Sequence, residues 1–160
     1  MTTLSQLLRD EHEELLPHLE HILALAHDIE TGTSSELVAR IRRVLGFLGD
    51  DLLDHARVEE EALYPMVARA MGAPEVTATM SRDHVEIARM VEELGTLAKG
   101  LGADGIDPSA TRELRRLLYG LHAVVRLHFL KEEEVYLPIL DARLSEEEGR
   151  GLVDALAQAR

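Results

Sequence analysis

Four stretches of the chain place apolar residues three and four positions apart, the spacing of one face of a helix. The first runs through Leu8, Leu15, Leu19, Ile22 and Ala26, and the second through Leu37, Ile41, Leu45, Leu48, Leu52, Ala62 and Met66. The third holds Met80, Ile87, Val91, Leu94 and Ala98; the fourth holds Leu114, Leu118, Leu121, Val125, Val135 and Ile139. No segment shows the sustained two-residue alternation of a half-buried strand. The breaks are equally legible. Thr33-Ser34-Ser35-Glu36 has the form of a capping box opening the second helix, and Gly72-Ala73-Pro74 separates the second from the third. Residues 100–108 (GLGADGIDP) form the one long loop, with Asp107 placed to cap the fourth helix and Pro108 in its first turn. Ser145-Glu146-Glu147-Glu148 is a second capping box, opening a tail with Leu152, Val153 and Leu156. Short connections make neighbouring helices antiparallel. The pattern therefore predicts an all-α, up-down-up-down four-helix bundle over residues 1–143. Residues 144–160 are expected to form a short amphipathic helix packed on it.

A repeat lies on top of this pattern. His55-Ala56-Arg57-Val58-Glu59-Glu60-Glu61 leads to Pro65, and His128-Phe129-Leu130-Lys131-Glu132-Glu133-Glu134 leads to Pro138. Asp10-Glu11-His12 opens one half and Arg82-Asp83-His84 the other. The chain thus reads as two helical hairpins, each with a histidine on its first helix and His-x-x-x-Glu on its second. Residues four apart lie one turn apart on the same face, so His55 with Glu59, and His128 with Glu132, present nitrogen and oxygen to one centre. All four fall within the apolar stripes of their helices, while His12 and His84 sit on the shoulders of theirs, offset by roughly 60°. Levels also agree. His12 stands about 27 Å from the end of the first helix, and His55 about 31 Å from the start of the second.

Six ionisable groups converging in a core would cost several kcal/mol each without a compensating ion. That makes a metal the economical explanation. With no cysteine in 160 residues, disulfides, thiolate zinc sites and iron–sulfur clusters are excluded. Imidazole with carboxylate suits iron, zinc or manganese, and two carboxylates favour a dinuclear centre. Ferritin-like di-iron proteins carry Glu-x-x-His, and no glutamate stands three residues before any histidine here. Most of Glu60, Glu61, Glu133 and Glu134 reads as solvated helix face. Four further residues are candidates for an additional ligand or pocket wall: His18 and His122, each six residues from a core histidine, and Tyr64 and Tyr136, which follow the paired glutamates. Pro65 and Pro138 are expected to bend their helices beyond the ligands. The net charge of −13 argues against nucleic acid as a partner. No apolar run is long enough to span a bilayer, and the acidic start is not a secretory signal, so a cytoplasmic location is expected.

From Leu4 to about Arg143 the chain resembles the hemerythrin family, and within it the bacterial hemerythrin-like HHE cation-binding domains. The residues carrying the resemblance are His12, His55-x-x-x-Glu59 followed by LYP, His84, and His128-x-x-x-Glu132 followed by YLP. The resemblance implies a metal site of His12, His55, Glu59, His84, His128 and Glu132. The four histidines would be terminal ligands of two non-haem irons, bridged by Glu59, Glu132 and a solvent-derived oxo or hydroxo group. Oxygen-carrying members place two histidines one turn apart on the third helix, where this chain has Met80 and Ala88 around His84. They also end in a His–Asp pair, against His128 and Glu132 here. Six ligands instead of seven leave more open positions. That favours reaction with oxygen, peroxide or nitric oxide, of peroxidase or oxidase type and with an unidentified electron donor, over reversible carriage. The alternative is a sensing or binding module without turnover; storage is disfavoured by the poor capacity of one buried site.

Overall fold

The computed structural model describes residues 4–101 and 106–158. Helix α1 spans Leu4–Asp28, α2 runs from Ser34 to Met71, α3 spans Ala78–Lys99, α4 runs from Pro108 to Arg143, and α5 spans Glu146–Gln158. A 3-10 turn, Pro74–Thr77, joins α2 to α3. Among the described residues there is no strand. Part of the loop expected over residues 100–108 lies outside the described residues.

Side-chain contacts show that adjacent helices are antiparallel. Between α1 and α4, His12 meets Glu133 and Glu20 nears His122, and Glu30, just past α1, pairs with Arg115. Between α3 and α4, Asp83 pairs with Lys131 and Glu93 with Arg116. The same reversal relates α1 to α2 (Glu11 to His55, Asp28 to Arg40). In α2 and α3, Glu60 meets His84 while Leu45 lies under Gly95. Each helix of the bundle therefore has two antiparallel neighbours, giving the up-down-up-down four-helix bundle. Helix α5 adds Leu152 and Leu156 to an apolar group with Leu8 and Val58.

The helix ends follow local chemistry. The Asp107 carboxylate accepts the Ser109 and Ala110 N–H groups at 2.8 and 3.1 Å, satisfying donors that the first turn leaves free. At the start of α5 the capping box is reciprocal: Ser145 N–H donates to Glu148 at 3.0 Å and Glu148 N–H to the Ser145 hydroxyl at 3.3 Å. The box expected at Thr33–Glu36 is realised only in position, since extended Thr33 precedes α2 without a side-chain bond to it. Gly72 ends α2 at φ 68°, a left-handed conformation that favours glycine.

Helices α2 and α4 depart from a regular α-helix. Three turns widen to i→i−5 hydrogen bonding: Leu48–Leu52, Glu59–Leu63 and Glu132–Tyr136. In the last two, Tyr64 N–H donates to Glu59 O and Leu137 N–H to Glu132 O, one residue ahead of Pro65 and Pro138. A proline ring clashes with the carbonyl four residues back, and a widened turn relieves that clash. The prolines thus accompany π-turns that begin at Glu59 and Glu132. Proline alone is not sufficient, because Pro17 sits inside α1, which is assigned as α-helix throughout.

The extra residue changes which side chains face inward. The expected stripe passed through Ala62, Met66, Val135 and Ile139. Ala62 and Met66 pack against the core only partly buried, while Leu63, Tyr64 and Val67 are buried on α2 and Tyr136, Leu137 and Leu140 on α4; Val135 is 49% exposed. The core consequently has two apolar parts. One packs Leu19, Ile22, Leu25, Leu94, Leu118 and Val125 toward one end. The other packs Leu8, Leu63, Val67, Met80, Leu137 and Leu140 toward the other. A polar layer lies between them.

Candidate metal centre

That layer is made of His12, His84, His128, Glu59 and Glu132, all buried, with His55 beside them. Each pair spaced four residues apart meets the single histidine of the other helices. His12, His55, Glu59 and Glu132 bring one donor atom each to within 4.8 Å of one another, as do Glu59, His84 and His128. The two glutamates reach both groups. Glu59 turns Oε1 to His55 Nε2 at 2.8 Å and His12 Nε2 at 3.9 Å, and Oε2 to His84 Nε2 at 3.1 Å and His128 Nε2 at 3.7 Å. Glu132 turns Oε2 to His12 Nε2 at 3.3 Å and Oε1 to His128 Nε2 at 3.5 Å.

Every histidine faces the cluster with Nε2 and turns Nδ1 outward to a carboxylate. His12 meets Glu133 at 2.8 Å, His84 meets Glu60 at 2.8 Å, His128 meets Asp83 at 3.2 Å and His55 meets Glu11 at 3.4 Å. The arrangement repeats between the hairpins: the acid following each cluster glutamate, and the acid preceding each first-helix histidine, hold the rings. These four acids were not identified from the sequence, which read Glu60 and Glu133 as solvated face. The available signal was the Glu-Glu-Glu run together with the acid-His pairs at 11–12 and 83–84. A carboxylate on Nδ1–H fixes the tautomer that leaves Nε2 free to bind a metal. Phe129, adjacent to His128, stacks on His12 with ring centroids 4.1 Å apart.

The donor set fits a metal. His12 Nε2, His55 Nε2, both Glu59 oxygens and Glu132 Oε2 are buried without a hydrogen-bond partner, an expensive condition in a low-dielectric interior. Metal–ligand bonds of about 2.1 Å separate neighbouring donors by about 3 Å and opposite ones by about 4.2 Å. The contacts of 2.8–3.9 Å lie close to that interval.

The four additional candidates part company. Tyr64 belongs to the layer: its hydroxyl donates to Glu132 Oε1 at 2.8 Å and lies 3.2 Å from His128 Nε2 and 3.4 Å from His84 Nε2. Tyr136 instead donates to the Val76 carbonyl at 2.8 Å. The repeat explains the difference. Aligned on the prolines, Tyr64 corresponds to Leu137 and Tyr136 to Leu63, so only the tyrosine directly before proline reaches the cluster. His18 is exposed and stacks on Phe47, because the adjacent Leu19 takes the inward position. His122 is half-buried, 3.8 Å from Glu20.

Electrostatics bind the layer together. Burial alone would lower the pKa of His12, and the adjacent Glu132 and Glu59 carboxylates outweigh it, raising it to about 9. Burial likewise opposes, and nearby carboxylates overcome, the rise of His55 and His128 to about 10. Glu59 is held well below the usual carboxylate range, since His55, His12 and His128 outweigh the upward push of burial. Burial and the charges of Glu59 and Glu132 push the Tyr64 phenol far up. The metal-free layer therefore balances carboxylates against protonated imidazoles.

A helical bundle enclosing a His/carboxylate layer defines a metal-binding class of protein. The family model of the hemerythrin HHE cation-binding domain matches residues 3–140, and the chain belongs to that family. Comparison with curated proteins and with solved structures finds no significant match. No helix among the described residues is long and apolar enough to cross a membrane.

Proposed function

We propose that the layer holds two non-haem irons and that the protein binds or reacts with a small molecule such as oxygen, peroxide or nitric oxide. The observation carrying this reading is that Glu59 and Glu132 each divide their two oxygens between two sets of histidines. One oxygen per set is the arrangement a bridging carboxylate requires. His12 and His55 would hold one iron and His84 and His128 the other, through Nε2. Bound there, iron would supply the redox couple, with electrons from an unidentified donor. The protein's own contribution is to exclude water with Phe129 and the two apolar cores, and to fix the rings through Glu11, Glu60, Asp83 and Glu133. Tyr64 places a proton donor beside the second pair of histidines and is the nearest additional donor to the six.

The test is anaerobic loading with ferrous iron, followed by separate additions of oxygen, nitric oxide and hydrogen peroxide. Two irons per chain and a reaction dependent on both Glu59 and Glu132 are expected. Unchanged loading in the Glu59→Ala, Glu132→Ala double variant would overturn the proposal. A Tyr64→Phe variant should keep two irons while altering the visible spectrum of the ferric form. Sensing without turnover is a second reading, favoured by the packing of α5 on the π-turn Glu59–Leu63. That contact links a cluster glutamate to the outside of the bundle, and this reading predicts stoichiometric binding without consumption of peroxide.

A further inference from the structure

One pocket leads from the surface toward the layer. It has a volume of about 230 Å³, lies between α1 and α2, and reaches His55 and Glu59. Five carboxylates line it: Glu11, Glu14, Asp50, Asp51 and Asp54. Two of them are engaged, Glu11 near His55 Nδ1 and Asp54 accepting from Arg57. Glu14, Asp50 and Asp51 are exposed and make no ion pair among the described residues. Glu59 differs sharply from these: it is 1% exposed, and neither of its oxygens accepts a hydrogen bond. The pocket therefore joins solvated, uncompensated negative charges to a buried, unsatisfied acceptor.

We infer that this pocket is the route by which a divalent cation reaches the layer, arriving first at the His55–Glu59 side. The inference rests on the reading of the layer as a metal centre. A cleft lined by one sign of charge between low-dielectric walls concentrates counter-ions and raises their rate of arrival. A doubly charged ion feels each of these charges twice as strongly as a monovalent one. Leu8, Leu15, Val58 and Leu156 supply the apolar walls. The pocket's lining includes His55 and Glu59 and neither His84 nor His128.

The test uses the chelator-treated full chain and cobalt(II) alone, with uptake followed by stopped-flow visible absorption. A Glu14→Gln, Asp50→Asn, Asp51→Asn variant should take up the ion about ten-fold more slowly at low ionic strength, at the lower end of the range for charged clefts. Its rate should respond less to added salt, and its final cobalt content should equal that of the unaltered protein. A Glu36→Gln, Glu75→Gln, Glu147→Gln variant removes as many charges outside the pocket and should keep the original rate. Equal rates for the pocket variant and the unaltered chain, or equal slowing in both variants, would overturn the route. Failure of the unaltered chain to bind cobalt at all would overturn the metal-centre reading, and the route with it.

Discussion

A Glu59→Gln substitution in the metal-free protein keeps the shape of the side chain and removes its charge. In the native layer, His12, His55 and His128 have pKa values of about 9, 10 and 10, against an ordinary 6.5. Because these folded-state values are raised, the stability they bring is fully present below about pH 6.5 and lost as pH rises through 9 to 10. Without the Glu59 charge, cationic imidazoles 2.8–3.9 Å away face one carboxylate where they faced two. Breaking a buried pair of this kind costs roughly 3–5 kcal/mol, a large share of the roughly 5–15 kcal/mol that holds a domain together. Above pH 10 the imidazoles are neutral and the native carboxylates become the uncompensated charges, so the deficit should close and then reverse. Urea unfolding of chelator-treated protein, followed by circular dichroism at pH 6.5 and pH 10.5, measures both ends. A deficit that stays constant with pH would refute the electrostatic account and leave only packing. No deficit at pH 6.5 would show that the imidazoles are neutral there.

Three more outcomes are expected. Loading the metal-free protein at pH 7 should release close to three protons, one each from His12, His55 and His128, whose pKa values lie well above 7; a pH indicator in weak buffer reads this, and release of less than one proton would contradict it. Glu133→Gln should loosen the His12 ring and lower metal affinity about 10- to 100-fold at unchanged stoichiometry, as read by chelator competition, whereas Glu147→Gln should have no effect. Asp107→Ala should lower stability by about 1 kcal/mol through loss of the cap and leave metal content unchanged, measured by thermal unfolding and elemental analysis.

Much of the layer was written in the spacing of residues. A helix rises by a constant amount per residue, so His12, His55, His84 and His128 come to one level of an antiparallel bundle once the helix ends are known. The four-residue step in His55–Glu59 and His128–Glu132 places each pair on one face by the same regularity. The order of the helices and their directions followed from the short connections. These are properties of a single helix or of chain connectivity, and a sequence carries them directly.

Other features depended on how helices approach one another. Three consecutive glutamates cover more than half of a helix's circumference, and only the packing of α1 and α3 selected Glu133 and Glu60 to hold His12 and His84. The π-turns moved the inward face onward by one residue, burying Leu63 and Tyr136 and exposing Val135, because hydrogen bonding changed from the four-residue to the five-residue step. His18, which a helical projection left at the edge of the inward face, was turned out by Leu19; Tyr64 was turned in. The sequence determined which groups are available and at what height along the bundle. Their rotation about each helix, and thus their final partners, was decided only by tertiary packing.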